Sequence, residues 1–418
     1  MRSVGKVVGG MNEEKKRIFI FSHFMDIGGA EKALLGLLEG IDLSQYEVDL
    51  FLLRHEGCLM KCIPEGINIL PEIKQYTMLA KPIKDLVKER HLLIVAARLF
   101  GKIAAKIYEL INQYDAKSAV EIEYSHKFTQ YLMPKLCCDK VYDLAISFLT
   151  PHYFVTKKIQ SKIKIAWIHT DYSSIQINKK SEYKMWEPYD YIASISEECS
   201  NAFTRVFPKL KRKIVLIENP LPVKMIIQQS EYKEKNLPQK KNDEIILLSI
   251  GRFCEAKNFE NIPNICKMIR EKGCNVKWYI IGFGAGEQLI RKRIIECNMQ
   301  EWVIILGKKE NPYPYIKFCD WYIQPSKFEG KAVTVQEAQI LNKPVIITDY
   351  ATSQSQLKNG IDGVIVPLDN YNCANRISEI IENISLKNTL INNTKNSNYS
   401  GKKSIETIYR LMEVKNDT

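Results

Sequence analysis

Two carboxylates and two cations have a spacing that suits the binding of a phosphorylated ligand. Glu329 and Glu337 are separated by seven residues, and Arg252 and Lys257 follow a glycine that ends an apolar run. Across eight steps of a helix the carboxylates would lie about 12 Å apart, farther than the roughly 5–9.5 Å of a glycosidase acid/base pair. The spacing therefore favours two ends of one long ligand, such as a sugar and a ribose with a diphosphate between them.

The sequence around Glu329 predicts a strand, a loop, a helix and a second strand. Residues 321–323 form a short apolar run, a segment with helical spacing opens at Gly330, and residues 345–347 are β-branched. Open α/β sheets bind ligands at the carboxyl ends of their strands, and the positive end of a helix binds phosphate. This unit predicts a diphosphate site. The alternative is a solvated helix that carries two surface glutamates.

Several motifs resemble those of one enzyme family. Residues 325–330 (PSKFEG), followed by Glu337, resemble the E-x7-E signature of family 4 glycosyltransferases, which have the GT-B fold. Residues 251–258 resemble the family's G-R-x4-K motif, and residues 282–287 resemble its V-G-x-G-P-E turn with Ala285 and Gly286 in place of the usual G-P step. The resemblance is specific in the second half of the chain and loose in the first.

The resemblance implies roles for residues in both halves of the chain. The predicted catalytic residues are Arg252, Lys257, Glu329 and His169, and the predicted donor-binding residues are Glu337, Gly330, Lys331, Ala332, Val333, Gly28, Gly29, Gly282 and Lys308. The cations and the helix start would neutralise a leaving diphosphate, so neither a metal nor a cofactor is expected. The carboxylate at 337 would bind the ribose, and the one at 329 would hold the donor sugar. The family pattern often has an aromatic or small residue at position 331, so the lysine there leaves the choice of sugar open.

Two of these assignments have structural alternatives. Gly28-Gly29 follows an apolar strand and could bring backbone N–H groups close to a ligand, or could simply turn the chain into a helix. His169 follows a buried strand, where it could face a ligand or serve as a structural histidine. In the resembling family a histidine near this point lies close to the transferred sugar.

The chain of 418 residues is too long for a single core, and we expect two domains. The predicted fold class is α/β: a GT-B arrangement of two Rossmann-like, doubly wound domains that face a cleft, with a C-terminal helix that crosses back. The predicted segments are a disordered extension (1–16), an N-terminal acceptor-side domain (17–222), a linker (223–242), a C-terminal nucleotide-sugar-binding domain (243–400) and a C-terminal helix (401–418).

The composition indicates the charge of the binding partner and the cellular compartment of the protein. The net charge of +12 indicates an anionic partner such as a nucleotide sugar, an acidic lipid or a nucleic acid. The eleven cysteines are scattered without a C-x-x-C pair, which argues against zinc and favours reduced thiols in the cytoplasm. The N-terminal residues lack the apolar core of a signal peptide, and no apolar run reaches 18 residues.

One basic segment predicts contact with an acidic membrane surface. Residues 74–106 carry eight cations against two carboxylates (Lys74, Lys81, Lys84, Lys88, Arg90, Arg98, Lys102 and Lys106 against Asp85 and Glu89). The apolar residues Leu99, Ile103 and Ile107 recur at helical spacing beside the cations, as in helices that lie in a bilayer interface. The alternative is that this apolar face packs on the sheet of the first domain.

The resemblance implies a retaining, metal-independent glycosyltransferase. It would move a sugar from a nucleoside-diphosphate sugar to a glycan or lipid-linked acceptor in surface polysaccharide synthesis, in the cytoplasm or on the inner face of the cell membrane. One alternative is a nucleotide-sugar epimerase, and another is a non-catalytic GT-B subunit that binds nucleotide or glycan. Nucleic-acid binding is not expected, because the chain lacks an interleaved basic and aromatic motif.

Overall fold

The computed structural model of the protein describes residues 14–26, 28–89, 91–115, 118–150, 152–170, 172–173, 175–241, 243–329, 332–397, 399 and 401–414. Three predicted features fall partly or wholly outside these residues. They are the donor-binding residues Gly330 and Lys331, the cation Arg90, and most of the extension over residues 1–16.

The chain forms two compact units. The first comprises Met1–Asn219 and Lys403–Thr418, and the second comprises Pro220–Lys402. Strands of the first unit are β1 (Lys16–Ser22), β2 (Tyr46–Leu52), β3 (Asn68–Ile69), β4 (Tyr142–Ser147), β5 (Ser161–Ile168), β6 (Tyr191–Ser194) and β7 (Ile214–Leu216). Strands of the second are β8 (Ile245–Ile250), β9 (Val276–Ile281), β10 (Val303–Gly307), β11 (Trp321–Gln324), β12 (Val345–Thr348) and β13 (Val364–Val366).

Helices alternate with these strands along the chain. They are α1 (Gly29–Gly40), α2 (Lys74–Thr77), α3 (Ile83–Lys88), α4 (Leu92–Ile111), α5 (Val120–Thr129), α6 (Tyr153–Lys158), α7 (Lys179–Trp186), α8 (Glu197–Val206), α9 (Val223–Ser230), α10 (Ile262–Glu271), α11 (Glu287–Glu296), α12 (Tyr313–Phe318), α13 (Val333–Ile340), α14 (Ser353–Gln356), α15 (Asn370–Ile381), α16 (Ile384–Lys395) and α17 (Lys402–Val414). Among the helices in the part of the chain that the structure describes, none combines the length and apolar character that a membrane span requires.

Each unit is built on a parallel sheet. The strand order is β3-β2-β1-β4-β5-β6-β7 in the first sheet and β10-β9-β8-β11-β12-β13 in the second. The strands read as nearly continuous apolar runs, such as IILLSI in β8 and VIIT in β12, because helices cover both faces of a parallel sheet. The predicted α/β class with two Rossmann-like sheets is confirmed.

The C-terminal helix belongs to the first unit, as predicted. The Tyr409 ring on α17 stacks on Tyr46 of β2 with centroids 4.5 Å apart, and its hydroxyl accepts the Asp42 N–H at 2.9 Å. Ser404 Oγ donates to the Glu218 carbonyl at 2.8 Å. These contacts hold the helix that follows the second unit against the first unit's own residues.

Three predicted segments differ from the structure. Residues 223–230 of the predicted linker form α9, because Met225 and Ile226 are buried and the helix packs against α12 and α13. The basic segment of residues 74–106, which the sequence treats as one unit with helical spacing, is divided among α2, α3 and α4, with Pro82 at the N-cap of α3. Lys16, placed in the N-terminal extension, is the first residue of β1.

Candidate functional site

The predicted cations and Glu329 lie where the second sheet reverses its strand order. β8 is flanked by β9 on one side and β11 on the other, so the chain leaves these central strands in different directions. Such a switch point leaves a crevice at the carboxyl ends of the strands, where open α/β sheets bind their ligands. Arg252 and Lys257 follow β8, and Glu329 follows β11. The topology therefore brings the loops of two separate motifs to one crevice.

Lys257 and Glu329 bind each other. Lys257 Nζ lies 2.5 Å from Glu329 Oε1, and their side chains are only 19% and 10% exposed. Ser326 Oγ donates to the same oxygen at 2.6 Å. The stem of Lys257 passes over Gly251, where a Cβ would meet Lys257 Cδ and Cε at 3.2 Å. The sequence prediction treated these two side chains as separate ligand contacts, whereas the structure joins them in a largely buried ion pair.

A buried chain of polar side chains supports this ion pair from β11. Tyr322 Oη donates to Gln324 Oε1 at 2.7 Å, and Gln324 Nε2 donates to Ser326 Oγ at 2.9 Å. All three residues are fully buried. Because every side chain in the series is also bonded to its neighbour, the network fixes the orientation of Glu329. Sequence reasoning missed Tyr322 and Gln324, although a glutamine in a buried apolar strand is the signal that could have found them.

Arg252 is the exposed cation of the crevice. It follows Gly251 directly, and among the described residues its side chain has no ion pair and no hydrogen-bond partner. A guanidinium of this kind can bind two oxygens of a phosphate group at once. The neighbouring loop holds the Arg252 backbone in place, because the Phe253 N–H donates to the Phe283 carbonyl at 2.8 Å.

The glycine run after β9 packs the two loops together. A Cβ at Gly282 would lie 1.9 Å from the Gly251 carbonyl oxygen, and one at Gly284 would lie 2.7 Å from the Phe253 carbonyl oxygen. The close approach at Gly282, one of the predicted donor-binding residues, is therefore an approach between two backbone segments of the protein. Whether Gly282 also contacts a donor stays a prediction.

Lys308 and Phe283 form an exposed pair at neighbouring strand ends. Lys308 follows β10, and its Nζ lies 5.4 Å from the centre of the Phe283 ring. The Phe283 side chain follows β9 and is 52% exposed. The cation–π contact orders both side chains at the carboxyl edge of the sheet. The sequence prediction included Lys308 but missed the aromatic ring beside it.

The loop before α13 is tied to α14. The helix begins at Val333, and its N-cap residue Ala332 is buried and donates its N–H to Gln356 Oε1 at 2.7 Å. Thr352 Oγ1 donates to the Glu329 carbonyl oxygen at 2.6 Å. The Ala332 amide, which was predicted to hold the donor sugar, is thus already bound to a side chain of the protein. Sequence reasoning did not identify Gln356 or Thr352.

Glu337 lies inside the second unit. The residue is fully buried on α13, and Tyr313 Oη on α12 lies 3.0 Å from Glu337 Oε1. The estimate that Glu329 and Glu337 lie about 12 Å apart assumed that both residues are on one continuous helix. That assumption is wrong. Glu329 lies on the loop before α13, because the helix starts only at Val333. Tyr313 is a further residue of this region that the sequence did not reveal.

The remaining predicted residues belong to the first unit. Gly28 is the N-cap of α1, where a Cβ would meet Glu31 Oε2 at 2.0 Å, and Gly29 is exposed with no atom within 4 Å of its Cβ position. His169 follows β5 and packs on Phe148 with centroids 4.6 Å apart. Burial lowers the pKa of His169 to about 4, so its ring is neutral at pH 7. Among the described residues its Nε2 has no hydrogen-bond partner.

A small cavity in the first unit contains two buried carboxylates. It has a volume of about 240 Å³, and Glu123 and Glu182 line it. Glu123 accepts a hydrogen bond from Tyr153 Oη, and Glu182 accepts one from Tyr172 Oη at 2.6 Å. Burial raises the pKa of Glu182 to about 7, with the nearby Glu123 adding to the shift. No sequence pattern predicts this cavity, because the two glutamates are 59 positions apart in the chain.

Part of the sequence of the second unit matches a known family. Residues 230–397 match the model of the family described as glycosyl transferases group 1. The match covers the strand-end motifs of the second unit, namely the loops that carry Arg252, Lys257 and Glu329, and also Glu337 on α13.

Curated relatives match part of the chain. The chain is 30% identical over 177 residues to an uncharacterized glycosyltransferase of Methanocaldococcus jannaschii. The aligned residues make up 42% of this chain and 44% of the relative. It is 28% identical over 157 residues to the N-acetylgalactosamine-N,N'-diacetylbacillosaminyl-diphospho-undecaprenol 4-alpha-N-acetylgalactosaminyltransferase of Campylobacter jejuni. This second alignment covers 36% of this chain and 42% of the relative. The chain thus spans less than half the length of these two relatives.

Solved structures identify the fold along nearly the whole chain. The Anabaena HepE structure with UDP and glucose aligns with a TM-score of 0.60 at 12% identity, covering 96% of this chain and all of HepE. At this level of identity the likeness shows the fold, which is GT-B, as the sequence predicts.

Proposed function

We propose that this protein is a glycosyltransferase that moves a sugar from a nucleoside-diphosphate sugar to a glycan or lipid-linked acceptor. The observation that carries the proposal is the Lys257–Glu329 ion pair with the exposed Arg252 at the switch point of the second sheet. This arrangement lies within the residues that match glycosyl transferases group 1. The Campylobacter relative, whose name places its substrate on diphospho-undecaprenol, supports a lipid-linked acceptor.

The cations suit the departure of a diphosphate. Arg252 would bind two phosphate oxygens with its guanidinium. Lys257 has three N–H donors, and the bond to Glu329 Oε1 uses one of them, so the others could reach a phosphate. We propose that these two charges, with the positive end of helix α13, neutralise the leaving group, so that transfer is metal-independent. Preorganised donors of this kind are typically worth about 10²–10³ in rate each.

The carboxylates would hold the two ends of the donor. Glu329, oriented by Ser326 and Lys257, would contact the transferred sugar. Glu337 would bind the ribose, and since Tyr313 lies 3.0 Å from its carboxylate, that hydroxyl would adjust when the nucleotide binds. His169, with a pKa of about 4, would act as a neutral hydrogen-bonding group near the transferred sugar. Family 4 membership and retention of the anomeric configuration are part of this proposal.

Activity with a panel of nucleoside-diphosphate sugars tests the proposal. We expect release of a nucleoside diphosphate that depends on an added acceptor. Arg252→Ala and Lys257→Ala should each lose about 10²–10³ in turnover. The control is Lys240→Ala, which breaks the 2.6 Å ion pair with Asp320 at the opposite end of β11 and should leave turnover unchanged.

The same assay separates the alternatives. An epimerase would convert the nucleotide sugar without an acceptor, and a non-catalytic subunit would bind nucleotide without releasing a product. Either result would contradict the proposed transfer. A turnover that survives Arg252→Ala and Lys257→Ala in folded protein would reject the site while leaving the activity in place.

We also propose a place for the enzyme in the cell. The net charge of +12 and the basic helices of the first unit support a cytoplasmic protein that acts at the inner face of the membrane in surface polysaccharide synthesis. A lipid-linked acceptor would be reached most directly from that position.

A further inference from the structure

Helix α4 of the first unit packs two β-branched and two small residues against the protein. Ile94, Val95, Gly101 and Ala105 are its buried positions. A Cβ at Gly101 would lie 3.0 Å from the Tyr124 carbonyl oxygen, so glycine is what allows α4 to pack closely on α5. The middle of the α4 face that contacts the protein therefore carries small residues, because the backbones of α4 and α5 approach closely there.

Those large apolar side chains lie on the opposite, exposed face. Leu92, Leu93, Leu99, Phe100, Ile103, Ile107, Leu110 and Ile111 are between 43% and 75% exposed. They recur at the spacing of one helical face along a helix of 20 residues, about 30 Å in length. Contiguous exposed apolar surface of this kind marks an interaction site. The alternative that Leu99, Ile103 and Ile107 pack on the sheet is wrong.

Exposed lysines lie on α4 beside this apolar face and on the neighbouring helix α3. Lys102 and Lys106 directly precede Ile103 and Ile107 in the sequence and are exposed. Lys84 and Lys88 are exposed on α3, which packs against α4. Lys84, Lys88 and Lys106 have no ion pair within the described residues, while Lys102 lies 3.2 Å from Glu121. Arg98, which the sequence assigned to the same basic surface, instead turns inward.

The chemistry of this surface favours one partner. Protein–protein interfaces are depleted in lysine and enriched in aromatic residues, whereas this face has lysines at its border and Phe100 as its single aromatic side chain. An aliphatic face with cations beside it suits a bilayer interface. The apolar side chains contact the acyl chains there, and the cations bind the anionic headgroups.

We propose that the exposed face of α4 docks the protein on an anionic bilayer. Ile103 and Ile107 lie in the acyl boundary, and Lys84, Lys88 and Lys106 meet the headgroups. The proposal rests on the proposed function only for its purpose, since docking brings a transferase to a lipid-linked acceptor. Binding itself requires neither donor nor acceptor.

Co-sedimentation of the full chain with vesicles tests the apolar contribution. Vesicles of phosphatidylglycerol and phosphatidylcholine are compared with pure phosphatidylcholine, without nucleotide. The double variant Ile103→Ser/Ile107→Ser should lose about a hundredfold or more in partitioning, because each exchange removes several buried carbon groups. The matched control is Ile295→Ser/Ile384→Ser, at residues that are 62% and 73% exposed in the second unit, and it should bind like wild type.

A second set of variants tests the charges. The triple variant Lys84→Gln/Lys88→Gln/Lys106→Gln should lose about a hundredfold in binding at low salt, from about fivefold for each lysine near an anionic surface. High salt should also weaken wild-type binding, because it screens the attraction between these lysines and the anionic headgroups. The control replaces Lys272, Lys358 and Lys395, which are exposed lysines of the second unit, with glutamine and should match wild type.

Two outcomes would overturn the proposal. One is absence of binding to anionic vesicles at low salt, or equal binding by the α4 variants and their controls. The other is a concentration-dependent dimer that Ile103→Ser/Ile107→Ser abolishes without any vesicle binding, which would make this face an interface between two copies. Because no substrate is present, an inactive protein that still binds vesicles would reject the proposed function and leave the docking surface intact.

Discussion

The Lys257–Glu329 ion pair allows a quantitative test by a double-mutant cycle. Removing one partner of a buried ion pair typically costs about 3–5 kcal/mol, since the other charge is left uncompensated. Glu329 would keep Ser326 at 2.6 Å and Gln324 at 3.4 Å as donors, so Lys257→Met should cost about 3 kcal/mol, at the lower end of that range. Glu329→Gln retains an oxygen that accepts from the lysine and should cost about 2 kcal/mol.

The double variant Lys257→Met/Glu329→Gln should be less damaging than the sum of the single changes. With both charges absent, we expect a loss of about 2 kcal/mol instead of about 5, which is a coupling energy of about 3 kcal/mol. Urea unfolding followed by tryptophan fluorescence measures it, because Trp278, Trp302 and Trp321 report on the second unit.

A matched cycle at Lys240 and Asp320 controls for the chemistry of the substitutions. That pair is also short, at 2.6 Å, but Lys240 is 42% exposed. Its coupling should stay below about 1 kcal/mol. Additive effects at Lys257 and Glu329, within about 0.5 kcal/mol, would refute the view that the two side chains form one buried pair.

Two further predictions concern stability. Gly282→Ala should destabilise the protein by about 2 kcal/mol or more, because its Cβ would clash with the Gly251 carbonyl. The control Gly29→Ala should change the thermal midpoint of unfolding little, because no atom lies within 4 Å of its Cβ position. Equal thermal midpoints for the two variants would contradict the loop packing. Burial lowers the pKa of His23 and His169 to about 4, so the unfolded chain binds more protons than the folded one below pH 6.5. Stability should therefore fall by roughly 2 kcal/mol for each histidine as the pH drops from 6.5 to 4. The raised pKa of Glu182, about 7, works in the opposite direction, since its contribution is full below pH 4.5 and is lost as the pH rises through 7. Each of the variants His23→Gln and His169→Gln should lose part of this pH dependence of the urea midpoint of the first unit, and a pH dependence equal to that of wild type in both variants would contradict these assignments.

Much of the second unit could be predicted from the sequence because its signals are local. β12 is a β-branched run, and Glu329 follows the short apolar run of β11. Contacts between distant segments gave no such signal. Lys257 and Glu329 are 72 positions apart, and Gln356 reaches back 24 positions to the Ala332 amide.

The orientation of α4 shows another limit of sequence patterns. Periodicity identified Leu99, Ile103 and Ile107 as one apolar face, but it could not say whether that face is buried. The structure buries the small residues Gly101 and Ala105 instead, because close packing on α5 requires short side chains at that position. A pattern of apolar residues therefore located the surface, and only the packing decided which way it faces.

The central claim is that the carboxyl edge of the second sheet binds the diphosphate and ribose of a nucleotide. Calorimetric titration of wild-type protein with UDP, GDP, ADP, CDP and dTDP tests it most directly, followed by Arg252→Ala, Glu337→Gln and the control Lys240→Met with the tightest ligand. We predict that at least one nucleoside diphosphate binds and that each site variant weakens it about tenfold or more, since a charge-assisted hydrogen bond is worth about 1.5–3 kcal/mol, while the control retains wild-type affinity. No binding of any nucleotide, or wild-type affinity in folded Arg252→Ala and Glu337→Gln, would contradict the claim.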